Sequence, residues 1–335
     1  MEILIMETEK NPEVIVYAKS ELDKLIKQEF DNASIDLKKN INRLIRANDL
    51  TQKKLNAHHE LFEILFSEYE INPTGIRNKL QLLDQELIRF IDNICYKYDF
   101  EYWLDFGTLL GAVRHNGFIP WDDDTDLCMM RKDFEKIFPI IKEEIKKQGL
   151  EKEIRCKKYH INNRVYLIGF IQISYHAPHN IPMGSVDIIP YDYQKNKQHI
   201  TKEQIDKERL NFHMKLLNGE NKQETLEDYI NKFNITYENS NFLIPGIEVW
   251  WAFEKDLYSV ENDIIFPLKE MKFKDYYFKV PNKPEERLKD EYGDYSRFPQ
   301  SLHHHNLVKK LKKIQNIDEY YDNAIEKLKT INDNF

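Results

Sequence analysis

The chain has 335 residues, enough for one large domain with an appendage or for two domains. With 41% hydrophobic and 13% aromatic residues it can bury a substantial core, which excludes wholesale disorder. A net charge of −8 argues against broad nucleic-acid binding. Three cysteines without a CxxC spacing (Cys95, Cys128, Cys156) argue against a disulfide framework or a zinc site and favour a reducing compartment.

At the N-terminus, "MEILIMETEKNPEV" has acidic residues where a signal peptide would carry basic ones. No stretch reaches the roughly 18 apolar residues that span a bilayer. A cytoplasmic protein is expected, with room for a peripheral contact at the inner face of a membrane. Between Pro12 and Pro73 there is neither glycine nor proline. There Leu37, Ile41, Leu44, Leu55, Phe62 and Leu65 keep a 3,4 spacing, with Asn48, Thr51 and His58 on the same seam. That pattern predicts a long helical hairpin or a short coiled coil, which packs on the main domain or pairs with a second copy or a partner.

"INPTG" (71–75) is a breaker and a domain boundary. Beyond it, Leu80, Leu83, Leu87, Phe90, Ile91, Ile94 and Tyr98 trace an amphipathic helix. "EYWLDF" (101–106) has strand composition, "GTLLG" (107–111) reads as a tight turn into a short helix, and "NGFIPW" (116–121) as a loop. Residues 125–130 read as a strand and 132–148 as a helix. "RVYLIGFIQISY" (164–175) and "GSVDIIPYDY" (184–193) are further strands, and 202–218 and 305–331 are helical. The mixture predicts a sheet core flanked by helices.

The chemistry concentrates in "PWDDDTDLCMM" (120–130), where Asp122, Asp123, Asp124 and Asp126 precede an apolar run. Such neighbours repel by about 1 kcal/mol per pair in water and by more where water is excluded. In an extended chain Asp122, Asp124 and Asp126 share a face and Asp123 points away. Carboxylates on one face suit a hard divalent cation; a solvated acidic loop or a helix cap is the plainer alternative. Asp187 stands alone in apolar "SVDIIP" and should meet a cation, either a metal or Arg155 or Arg164. At Gly107-Thr108 the backbone can approach a phosphate, and Thr108 can cap a helix whose N-terminal N–H groups attract anions.

This three-part pattern resembles the polymerase-β-like nucleotidyltransferase fold. "YWLDFGTLLGAVRHNGFIPWDDDTDL" (102–127) resembles the LicD family, whose relatives include fukutin. "SVDIIP" (185–190), "IFPLKEMKF" (265–273), "VPNKP" (280–284) and "YGDYSRFP" (292–299) extend the resemblance over roughly residues 80–305. It implies an α+β protein with a nucleotidyltransferase-like mixed sheet flanked by helices. A helical extension would occupy 1–75, the catalytic domain 76–305 and a C-terminal helix 306–335.

The resemblance also implies Mg²⁺-dependent (or Mn²⁺-dependent) transfer of phosphocholine or a similar phospho-alcohol from a CDP-linked donor, CDP-choline first among them. The acceptor would be a glycan or glycolipid of the lipopolysaccharide, capsule or teichoic acid type. By position, Asp124 and Asp126 would hold the metal, Asp122 would reach it through water, and Asp187 would be a third carboxylate and proton acceptor. Gly107 and Thr108 would cradle a phosphate, with Arg114 and His115 as pyrophosphate contacts. Trp121 either faces a choline ammonium or anchors its loop, and His304 in "HHH" (303–305) either touches phosphate or is solvated. No nucleic acid is expected, and the N-terminal helices offer a homodimer contact. Two rival functions remain: a nucleotidyltransferase moving NMP from an NTP, which the same carboxylates would serve, and a non-enzymatic scaffold in a surface-polysaccharide pathway, against which an intact set of carboxylates argues.

Overall fold

The computed structural model describes residues 12–68, 72–159, 169–252, 255–296 and 307–335. Its contacts divide the chain into two units, residues 1–69 and 70–335. The first is built on α1 (Pro12–Glu68), a single helix of 57 residues rather than a hairpin. Nothing between Pro12 and Pro73 can break it, and the seam residues Leu37, Ile41 and Leu44 are exposed along its length.

The second unit opens with α2 (Ile76–Tyr98), which starts after Gly75 at φ 59° and stops at Asp99 in the left-handed region. Its apolar stripe, Leu80, Leu83, Leu87, Phe90, Ile91 and Ile94, is buried as the helical spacing requires. There follow β1 (Tyr102–Leu104), α3 (Phe106–His115), β2 (Asp126–Met130), α4 (Arg131–Lys147), β3 (Ile154–Tyr159), β4 (Phe170–Ala177) and β5 (Ile181–Gln194). Of the predicted strand at 164–175, residues 164–168 lie outside the described residues.

The five strands line up β1-β2-β5-β4-β3 in a mixed sheet, as expected for a nucleotidyltransferase-like core. β2 runs parallel to β5, while β1–β2, β5–β4 and β4–β3 are antiparallel. The far end of β5 also pairs with strand Phe242–Pro245.

β2 shows how the sheet sorts its side chains. Leu127 and Met129 join the core beneath α2, together with Leu83, Leu87, Ile171, Val186 and Ile188. Cys128 and Met130 join a second cluster on the opposite face with Trp103, Phe106, Tyr191 and Leu243. A period of two with both faces buried explains why β2 reads as an unbroken apolar run. The C-terminal helix Ile317–Asp333 closes the first core with Tyr321 and Leu328. All three cysteines are buried free thiols. Among the described residues no helix is long and apolar enough to cross a membrane.

Candidate active site

The acidic loop enters the sheet at the end of β2, and strand register brings in its distant partner. Asp126 lies directly opposite Asp187 on the adjacent parallel strand β5. The Asp187 backbone N–H donates to the Thr125 carbonyl at 2.9 Å, which locks that register at the strand ends. Residues 122–125 have no regular structure, so strict alternation begins only at Asp126. Asp123 nonetheless turns away, its Oδ2 accepting the Leu307 N–H at 3.2 Å.

From behind, α2 holds the loop by its carbonyls. Gln81 Nε2 donates to Ile119 O at 2.9 Å and to Asp122 O at 3.2 Å. Arg77 Nη1 donates to the carbonyls of Trp121 and Asp122. Two polar residues one turn apart on α2 thus fix the path of the acidic segment.

α3 supplies the other wall. A Cβ on Gly107 would sit 3.1 Å from Asp122 Oδ2, so the glycine is what lets that carboxylate lie against the turn. Thr108 is buried, and its hydroxyl accepts the Asp126 backbone N–H at 2.9 Å. The N-cap is not Thr108 but Asp105, which accepts the Phe106 N–H at 2.8 Å. Phe106 then takes φ 48°, rare for a bulky residue and held in place by the network beneath it. There the fully buried Asp105 also accepts from Trp103 Nε1 at 3.1 Å, from the Tyr191 hydroxyl at 3.2 Å and from Arg287 Nε at 3.0 Å.

The electrostatics follow from this burial. Loss of water, with Asp124 beside it, pushes the Asp122 carboxyl up to about 9. Burial, then Asp124, Asp187 and Asp122, holds Asp126 well above the ordinary carboxylate range. The main charged neighbours of both groups are all carboxylates. Asp187 Oδ1 accepts from Gln172 Nε2 at 3.0 Å; Arg155 bonds to Asn180, and Arg164 lies outside the described residues.

At the C-terminal end of α3, Arg114 donates through Nε to His115 Nε2 at 3.0 Å and through Nη1 to Tyr295 O at 3.0 Å. Burial, helped by the Arg114 charge, lowers His115 to about 4, so the imidazole is neutral at pH 7 and able to accept. Trp121 meets the His115 ring edge-on at 6.1 Å and, half-buried, packs against the core. His304 lies outside the described residues.

The donor set is right for a hard divalent ion: Asp122, Asp124, Asp126 and Asp187 offer only carboxylate oxygens. Among the described residues no three His, Cys, Asp or Glu side chains are grouped so that they could hold a metal ion. The carboxylates thus suit such an ion by the chemistry of their donors, not by an arrangement already grouped around one.

Residues 99–224 match the family described as LicD/FKTN/FKRP, nucleotidyltransferase domain. Over that stretch the chain is similar to the LicD family. The chain is 40% identical to the lipopolysaccharide cholinephosphotransferase LicD of Haemophilus influenzae over 67 residues, 18% of this chain and 25% of that protein. It is 36% identical to the uncharacterized protein RT0683 of Rickettsia typhi over 88 residues, 25% and 28% of the two chains. With the ribitol 5-phosphate transferase FKRP of Homo sapiens it shares 41% over 49 residues, 15% and 10%. The chain therefore spans under a third of the length of these relatives.

Several residues of the site had escaped sequence reasoning. Asp105 and Arg287 stand 182 positions apart, and only a charge set between apolar neighbours in "WLDFGT" hinted at the first. Gln172 sits in an apolar strand, where a lone amide is the corresponding signal. Beside Phe106 and Arg287 a pocket of about 270 Å³ opens, lined also by Tyr191, Pro245, Tyr258 and Ser259. The segment 194–262, in which the sequence shows no motif, supplies half of those residues.

Proposed function

We propose that this protein transfers phosphocholine or a related phospho-alcohol from a CDP-activated donor to a hydroxyl of a cell-surface glycan precursor. The observation that carries this reading is the register of Asp126 against Asp187, with carboxylates, Asp124 first, as the main charged neighbours of Asp122 and Asp126. The names of the Haemophilus and human relatives, a cholinephosphotransferase and a ribitol 5-phosphate transferase, each describe movement of a phosphorylated alcohol.

Asp124, Asp126 and Asp187 would hold a magnesium or manganese ion, with Asp122 reaching it through water. When bound, such an ion neutralises a pyrophosphate and lowers the cost of charge building on the leaving oxygen. Asp187 would accept the proton of the acceptor hydroxyl as its oxygen bonds to the donor's distal phosphorus and the bond to CMP breaks. Gln172, by occupying one oxygen of Asp187, orients the other. Neutral His115 steers Arg114, whose guanidinium would meet the donor phosphates. Gly107 keeps that approach open, Thr108 acts through Asp126, and His304 would add a phosphate contact from the segment after Tyr295.

The test is a thermal-shift panel with CDP-choline, CDP-glycerol, CDP-ribitol, CMP, CTP and ATP, each with Mg²⁺ and with EDTA, on the wild type and on Asp124→Asn/Asp126→Asn. Ligands that bind the folded state raise Tm by mass action, so no acceptor is needed. Stabilisation by one CDP-alcohol, dependent on both Mg²⁺ and the two aspartates, is the expected result. Stabilisation by triphosphates alone overturns it in favour of NMP transfer, and no shift with any ligand overturns it in favour of a scaffold.

A further inference from the structure

Buried polar atoms without a partner are rare in folded proteins, and six occur among the described side chains. Four of the six belong to one place: Gln81 Oε1, Asp84 Oδ1, Gln85 Oε1 and Thr125 Oγ1. Gln81, Asp84 and Gln85 are spaced i, i+3, i+4 and share one edge of α2. That edge packs on the acidic loop, because the amide of Gln81 donates to the Ile119 and Asp122 carbonyls. Thr125 follows Asp124 in that loop, and its carbonyl accepts the Asp187 N–H at 2.9 Å.

The four side chains are at most 3% exposed, so bulk water does not serve them. Asp84 is the costly member. Its Oδ1 lies so close to Gly184 that a Cβ there would collide with it, and the carboxyl group as a whole is approached by the Ser185 N–H. Its charged neighbours are Asp124, Asp123 and Asp187, all of its own sign. Tyr321 of the C-terminal helix closes the far side, but its hydroxyl is given to the Met183 carbonyl at 2.5 Å. One carboxylate, two amide oxygens and a hydroxyl, each buried and unpartnered, thus lie along the contact of α2 with the loop, and no cation is among the charged neighbours of Asp84 in the described residues.

We propose that Asp84, Gln81, Gln85 and Thr125 form a second cation site, on the α2 side of the acidic loop, that holds a monovalent ion of the potassium or sodium class. The charge decides the class: a single carboxylate with neutral oxygens balances one positive charge, and oxygen is the donor these hard ions take. The ion would tie α2 to the loop that presents Asp122, Asp124 and Asp126 on the other side. It is a site apart from the divalent one, and it stands whether or not the chain is a transferase.

The experiment is thermal unfolding of the full chain at constant ionic strength in potassium, sodium or N-methylglucamine chloride, with EDTA present throughout. The proposal expects K⁺ or Na⁺ to raise Tm by about 2–4 °C over the bulky organic cation at an ion concentration tenfold above Kd. The rise should vanish in Asp84→Asn, shrink in Gln81→Leu and persist in Asp126→Asn. Equal Tm in all three salts overturns the proposal and leaves the four oxygens to ordered water. A rise that survives Asp84→Asn, or that is lost in Asp126→Asn, overturns it as well. Circular dichroism of each variant separates loss of the ion from loss of the fold.

Discussion

Two acidic groups flank the turn at the start of α3, and the fold treats them in opposite ways. Asp105, fully buried, receives an N–H from its own helix, an indole, a phenol and a guanidinium. Its charge is answered inside the protein. Further along the chain, Asp122 and Asp126 are also withdrawn from water, yet their strongest charged neighbours are other carboxylates. A charge the fold completes is architecture, and a charge the fold leaves open is an invitation to a ligand. The contrast matters because burial alone does not distinguish the two.

Cutting the completed side should have the larger effect. Replacing Arg287 with Met leaves Asp105 buried and unpaired, and is expected to destabilise by about 3–5 kcal/mol in urea unfolding. Adding Asp105→Asn to that variant should recover part of the loss. If Arg287→Met unfolds like the wild type, the Asp105 network does not hold the turn at Phe106.

On the open side, Gln172→Leu removes the donor to Asp187 while keeping the strand apolar. Partners that orient a ligand typically contribute 10–100-fold, so a loss of that size in Mn²⁺ affinity, read by water-proton relaxation, is expected with little change in stability. Gln172→Glu, which places a like charge against Asp187, should be worse. Unchanged affinity in both would confine Gln172 to the sheet.

The smallest effect concerns pH. His115 is held at about 4 in the fold against 6.5 for the free group, so between those values the unfolded chain binds more protons than the folded one. Stability contributed by neutral His115 is therefore full above pH 6.5 and is lost as pH falls toward 4. Urea midpoints of wild type minus His115→Asn, followed from pH 7.5 to 4.5, should narrow on acidification. A constant difference means His115 does not titrate with folding.

Much of this was legible in residues alone. The absence of any breaker between Pro12 and Pro73 foretold continuous helix, though not that the chain would run straight instead of turning back. The strand read at 125–130 and found at Asp126–Met130, the helix after it and the loop 116–121 followed from periodicity and turn residues. The acidic cluster was visible because four carboxylates before an apolar run need an explanation. Thr108 was misjudged as the helix cap, since a hydroxyl one turn into a helix can serve either the helix or a neighbouring strand, and only the position of Asp126 decides which. The 194–262 segment yielded nothing, because its residues line the pocket beside Phe106 only once strand Phe242–Pro245 pairs with β5.

What the sequence by itself determined is local: where helices can continue, which strands are buried on both faces, and that charge is concentrated at one turn. These depend on neighbours within a few residues, whose spacing the chain fixes directly. Only the tertiary structure decided which charges are answered. Asp105 meets Arg287 across 182 positions, and Asp126 meets Asp187 through the register of two parallel strands. Compensation of charge acts through distance in space, falling off within a few ångströms, and no pattern along the chain records that distance.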